Sequence, residues 1–137
     1  MTTLLDASAA IAWCVPDEFD EPAKALLAHV VANGAIVPSL WAFEVENALR
    51  SAHRRRRVDE EDAYAIMARL SNLPIRVVDA LDTPVFHGAF TISVEHDISV
   101  YDAVYLDAAR RHGAMLASRD RRLLAVANAL GITTFGN

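Results

Sequence analysis

Short, largely apolar runs of three or four residues recur along this chain at Thr2–Leu5, Ala35–Val37, Ile75–Val78, Ala114–Ala117 and Ile132–Thr134, and the stretches between them carry helical signals. Runs too short for a helix and apolar without alternation suit strands buried on both faces, and strands separated by helices imply a parallel sheet with helices on either side. The fold class read from this pattern is α/β.

The helical segments have legible ends. Asp6-Ala7-Ser8 starts a helix that continues to Cys14 and stops before Pro16. Glu21–Ala32 carries Ala25, Leu26, His29 and Val30 at helical spacing and ends at Asn33-Gly34. Pro38-Ser39 opens a helix with Trp41, Val45, Ala48 and Ala52 on one face, and Asp59–Leu70 is a second helix closed by Asn72 and Pro74. Two helices between adjacent strands predict a hairpin projecting beside the core. Thr83-Pro84 starts a further helix running to about His96, Ser99–His112 is another ended by Gly113, and Asp120–Leu130 is the last, ended by Gly131.

At 137 residues, with 53% apolar and only 7% aromatic residues, the chain fits one domain, 1–137, with a full core. Cys14 is the single cysteine, which excludes an internal disulfide and a cysteine-based zinc cluster and points to a reducing compartment. No run approaches the ~18 apolar residues of a membrane span, so the expected location is the cytoplasm, with no membrane partner.

Four carboxylates, Asp6, Glu44, Asp102 and Asp120, stand where a strand passes into a helix or a helix begins. In a parallel α/β fold these places share one edge of the sheet, so side chains distant in sequence converge in one crevice. Each acid also has an ordinary reading. Asp6 and Asp120 are good N-caps, Ser99-x-x-Asp102 reads as a capping box, and Glu44 as a solvated helix residue. Against this, Glu44 and Asn47 lie beside an otherwise apolar helix face, where burial is costly without a reward. Two carboxylates about 4 Å apart repel by about 4 kcal/mol at an effective dielectric of ~20, so a cluster needs a proton or a cation. Oxygen-only ligands favour Mg²⁺, with Mn²⁺ as the other candidate, and such an ion suits phosphodiester hydrolysis. Ser8 and Ser118, each two residues from an acid, are candidates to orient carboxylates or waters, or plain helix-cap hydroxyls.

The net charge of −5 argues at first against a nucleic-acid partner. Four of the acids are the candidate ligands themselves, however, and Arg50 and Arg54–Arg57 place five cations within eight residues. Arg50, Arg54 and Arg55 are candidate phosphate contacts, as is Arg119 beside Asp120; solvated surface is the plain alternative. Asp107, about 140° round its helix from Asp102, is left outside the site.

Four segments, Leu4-Leu5-Asp6-Ala7-Ser8-Ala9, Trp41-x-x-Glu44-Val45-x-Asn47-Ala48-Leu49, Tyr101-Asp102-Ala103-x-Tyr105-Leu106 and Leu116-Ala117-Ser118-x-Asp120-x-x-Leu123, agree in order and spacing with one family across nearly the whole chain. They resemble the PIN-domain ribonucleases, especially the VapC-type toxins of bacterial toxin–antitoxin pairs. The resemblance implies a PIN-like three-layer fold with a five-stranded parallel sheet ordered 3-2-1-4-5. It also implies an acidic Mg²⁺ site that cuts RNA to leave a 5′-phosphate and a 3′-hydroxyl, a homodimer, and a small VapB-type antitoxin whose tail covers the groove. Asp6, Glu44 and Asp102 then match the main metal-binding acids, with Asp120 completing the catalytic set through water. Ser118 departs from the threonine often found there but keeps the hydroxyl.

Two rivals are weaker. A phosphoacceptor domain lacks its marks here, since position 8 is Ser rather than Asp and Lys24, the single lysine, lies within a helix. A noncatalytic RNA- or protein-binding module of the same fold remains open, because fold does not guarantee chemistry.

Overall fold

The computed structural model describes residues 1–78 and 85–136. Its strands are β1 (Thr3–Leu5), β2 (Ala35–Val37), β3 (Ile75–Val77) and β4 (Met115–Ala117). Its helices are α1 (Ala7–Ile11), α2 (Glu21–Asn33), α3 (Leu40–Arg54), α4 (Glu60–Ser71), α5 (Ala89–His96), α6 (Val100–Arg111) and α7 (Arg121–Ala129), with a 3₁₀ turn at Pro16–Glu18. The strands form one parallel sheet in the order β3-β2-β1-β4.

Alternation along these short strands sorts the core into layers, because successive side chains point to opposite faces. Leu4, Ile36 and Leu116 pack on one face against α5, α6 and α7 through Ile92, Tyr105, Leu106, Leu123 and Val126. Leu5, Ala35, Val37 and Ala117 pack on the other against Ala9 and Ala10 of α1 and Leu26 and Val30 of α2. The sheet is therefore the middle layer of three. The expected hairpin is α3 with α4, joined to α1 by a third cluster of Ala7, Val45, Leu49, Ile66 and Leu70. Trp41 packs against all three clusters, so the first turn of α3 is anchored to the whole core.

Two expectations need adjustment. The sheet has four strands rather than five. The Ile132–Thr134 run does reach the outer side of β4, but only as a single parallel bridge between Leu116 and Thr134. Leu116 N–H donates to Thr133 O and Phe135 N–H to Leu116 O, and Gly131 and Gly136 turn the chain at positive φ on either side. The helix start read at Thr83-Pro84 lies outside the described residues; among these, α5 begins at Ala89 and ends at His96, as expected.

Candidate metal centre

Asp6 directly follows β1, and its backbone N–H continues the ladder by donating to Ala117 O at 2.9 Å. This brings Asp6 beside Ser118 and, through it, Asp120 at the start of α7. Glu44 sits on the second turn of α3, which rises from the same edge after β2. Asp102 arrives by another route: α6 ends just before β4 begins, so its first turn lies one helix length away, about 18 Å, at the edge where the strands finish. Four separate stretches of chain thus meet. Asp6, Glu44, Asp102 and Asp120 line one cleft of about 550 Å³, together with Ser8, Ile11, Ala48 and Arg119.

The capping readings can now be weighed residue by residue. Asp6 occupies the N-cap position of α1, but its side chain makes no cap hydrogen bond. Its Oδ2 instead accepts from the Ser8 hydroxyl at 2.6 Å and the Ser118 hydroxyl at 2.7 Å. Each serine oxygen also accepts a backbone N–H, from Arg119 and Asp120 respectively, and the two hydroxyl oxygens stand 3.3 Å apart. Asp120 caps α7, its Oδ1 accepting from Arg122 and Leu123 N–H, and its side chain also lines the cleft. For Asp102 the cap comes from Ser99 Oγ, which accepts the Asp102 N–H at 3.0 Å. Helix N-termini favour the negative charge of all three aspartates.

Electrostatics records the crowding. Burial raises the Glu44 carboxyl above its usual range; the Tyr105 hydroxyl opposes this, and the charges of Asp6 and Asp102 push it further up. Burial also raises Asp102, as do Asp120 and Asp6, against lowering by Ser99 and Arg122. Tyr105, held by burial and by Glu44, has its phenol pushed far above the usual value.

Other expected residues are less central. Asn47 is exposed and outside the cleft lining, because the cleft takes the Ala48 side of α3, about 40° from Glu44, and Asn47 lies about 60° the other way. Arg50 lines a different groove between α3 and α4, with its Nη1 3.3 Å from His53 Nδ1. Arg54 and Arg55 are exposed at the end of α3, and Arg55 returns to within about 20° of the Glu44 direction. Arg119 reaches the cleft but holds Asp20 in a forked pair at 3.0 and 2.9 Å, tying the turn after β4 to the start of α2. Two cleft neighbours escaped the sequence reading. Glu18, in the 3₁₀ turn, follows no periodic pattern, whereas Tyr105 carried a usable signal as a core tyrosine whose hydroxyl needs a partner.

Among the described residues no three His, Cys, Asp or Glu side chains form a ready-made cage for an ion. The carboxylates instead rim an open cleft, and their donor set is all oxygen. That fits Mg²⁺, which takes one or two direct carboxylates and keeps several waters, better than it fits Ca²⁺ or Zn²⁺. The fit rests also on charge, since Arg119, the one cation lining the cleft among the described residues, is already paired with Asp20.

A PIN-domain profile matches residues 3–129. The chain belongs to the PIN-domain family. It is 31% identical over 123 residues to Ribonuclease VapC3 of Pyrobaculum aerophilum, spanning 90% of this chain and 92% of that protein. The crystal structure of PAE2754 from the same organism superposes with a TM-score of 0.69 at 28% identity, over 92% of this chain and 86% of that one. FitAcB from Neisseria gonorrhoeae shares the fold at 14% identity, with a TM-score of 0.65 and coverage of 98% and 97%. The three-layer PIN fold with its parallel sheet is thereby established, and no helix of the described residues is long and apolar enough to cross a membrane.

Proposed function

We propose that this PIN-domain protein is a Mg²⁺-dependent endoribonuclease of VapC type, acting in the cytoplasm and held inactive by a small VapB-type antitoxin. The observation that carries the reading is the convergence of Asp6, Glu44, Asp102 and Asp120 on one cleft, in a chain 31% identical to a protein named as a ribonuclease. Asp6, Glu44 and Asp102 would hold the ion directly and Asp120 through water. Bound there, Mg²⁺ or Mn²⁺ supplies positive charge for the scissile phosphate and lowers the pKa of an attacking water.

The protein's own residues supply the positioning. Ser8 and Ser118 saturate Oδ2 of Asp6, and Oδ1 accepts no hydrogen bond among the described residues. Exposed Arg54 and Arg55 extend a cationic path from the Glu44 helix along which an RNA backbone can lie. Arg119 contributes to RNA binding only by releasing Asp20, and Arg50 by leaving its groove.

The test is cleavage of RNA in Mg²⁺ with excess EDTA as the control, followed by mapping of the new ends. Metal-dependent cuts carrying 5′-phosphates are expected. RNA that binds but stays intact at every Mg²⁺ and Mn²⁺ concentration leaves a noncatalytic binding module. Co-expression of the neighbouring small protein, where the gene has one, is expected to suppress the cleavage.

A homodimer is part of the proposal. Phe90 and Val94, one turn apart on α5, are 73% and 66% exposed, and Val85, Phe86, Val100 and Tyr101, near them in sequence, are exposed as well. Exposed apolar residues concentrated in one stretch of chain suit an interaction surface. The double substitution Phe90→Glu and Val94→Glu is expected to convert a dimer into a monomer in light scattering, with Ile92 still buried on the opposite side of α5. A wild-type protein already monomeric at about 50 µM, a concentration at which a dimer of roughly micromolar Kd persists, would remove this part of the reading.

A further inference from the structure

Asp6 is oriented by two serines and Asp120 by the end of a helix, whereas Glu44 has one hydrogen-bonding partner among the described residues. That partner is Tyr105, whose Oη–H donates to Glu44 Oε1 at 2.5 Å. Tyr105 lies one turn after Asp102 on α6 and is wholly buried, with 0% of its surface exposed. A buried phenol needs its hydroxyl satisfied, and an ionised carboxylate can only accept, so the hydroxyl proton goes to Glu44. Tyr105 therefore links the Glu44 carboxylate of α3 to α6, one turn from Asp102.

We infer that Tyr105 is a positioning residue of the carboxylate site, its hydroxyl fixing the rotamer of Glu44 relative to Asp6 and Asp102. The inference rests on the metal reading above and goes beyond it, because it concerns a core side chain that no metal ion touches. A glutamate has three rotatable bonds, and in a half-open cleft, pushed by two neighbouring carboxylates, it would otherwise swing outwards. Holding Oε1 inside leaves Oε2 for the ion and removes the ordering cost from the binding step. Partners of this kind commonly change metal affinity by about 10–100-fold.

The test uses the full chain and the variant Tyr105→Phe, which keeps the ring and removes the hydroxyl. Mg²⁺ alone is titrated while the melting temperature is followed, and RNA cleavage is measured over the same concentrations. The expected result is an increase of at least about tenfold in the Mg²⁺ concentration giving half the effect in both assays, with cleavage at saturating Mg²⁺ recovering to within a few-fold of wild type. A purely structural tyrosine would lower the melting temperature equally with and without Mg²⁺ and leave the midpoint in place, which overturns the inference. A wild-type protein with no Mg²⁺ response removes the metal reading first, and this one with it.

A second measurement does not depend on the variant folding. With Cζ-labelled tyrosine, the wild-type protein gives three ring signals, those of Tyr64 and Tyr101 being identified by Phe substitution. The Tyr105 signal is expected to move in Glu44→Gln and to follow the Mg²⁺ titration in the wild type. A signal indifferent to both refutes the inference.

Discussion

Asp6→Asn is expected to lower RNA cleavage by at least about a thousandfold, equivalent to about 4 kcal/mol in the barrier, and to abolish stabilisation by Mg²⁺. The local geometry leaves asparagine no good solution. Both serine hydroxyls donate to Oδ2, and their oxygens accept the Arg119 and Asp120 amides. If Asn turns its oxygen to the serines, its NH₂ group takes the place of Oδ1 and cannot ligate a cation. If it turns the NH₂ group to them, both hydroxyl protons lose the acceptor they share in a site that is 7% exposed. The first arrangement keeps the fold, so melting in EDTA should stay within about 4 °C of wild type, roughly 1 kcal/mol. Wild-type protein at 100 times the Mg²⁺ dissociation constant should gain about 2.7 kcal/mol. An Asp6→Asn protein that cuts RNA at the wild-type rate would refute the assignment of the site.

What the sequence revealed depended on whether a local signal matched the tertiary outcome. Leu4, Leu5 and Asp6 were readable together because a run apolar on both faces cannot be a surface helix, and an acid directly after it must lie at the sheet edge. Helix ends at Gly34 and Gly113 were readable from the positive φ those positions adopt. The fifth strand was over-read, because Ile132–Thr134 has strand composition but forms a single bridge, to Leu116, among the described residues. On α3, sequence spacing put Glu44 and Asn47 near one another, yet spacing alone does not say on which side of Glu44 the cleft opens. Ala48 decides that, and it places Asn47 and Arg50 elsewhere. Tyr105 was legible as a core tyrosine in need of a partner, but not which partner, since its link to Glu44 spans 61 residues and no local pattern encodes it. The capping and ligand readings of Asp120 proved not to compete, because a carboxylate has two oxygens and the cap occupies one.

Two aspartates on α6 should respond to substitution in opposite directions. Asp107 is buried, 5% exposed, and outside the cleft. Its Oδ2 accepts from Arg111 Nε at 2.9 Å and its Oδ1 from Gly88 N–H at 3.2 Å, so it fastens the start of α5 to α6. The backbone approach is close enough that a Cβ at Gly88 would stand 2.7 Å from that same Oδ1. Asp107→Ala strands a guanidinium and an amide, which should cost about 3 kcal/mol and about 10 °C in melting temperature, with the Mg²⁺ midpoint unchanged. Asp102→Asn should do the reverse. The Asp102 carboxyl is raised above its ordinary range by burial and by Asp120 and Asp6, so the folded state holds its proton more tightly than the unfolded chain does. Its ionisation therefore removes stability as pH rises from the ordinary carboxylate range through the raised value, and at neutral pH the whole cost is present. A neutral amide removes that cost, discounted because the group is largely solvated, and should raise the melting temperature in EDTA by about 2 °C while losing the response to Mg²⁺. The gain should fade as the pH is lowered through the carboxylate range, where the wild-type side chain is neutral as well. Thermal melts of both variants with EDTA and with Mg²⁺ decide the matter: an Asp107→Ala protein as stable as wild type, or an Asp102→Asn protein that Mg²⁺ still stabilises, would show that the two carboxylates do not divide structure and ion binding in this way.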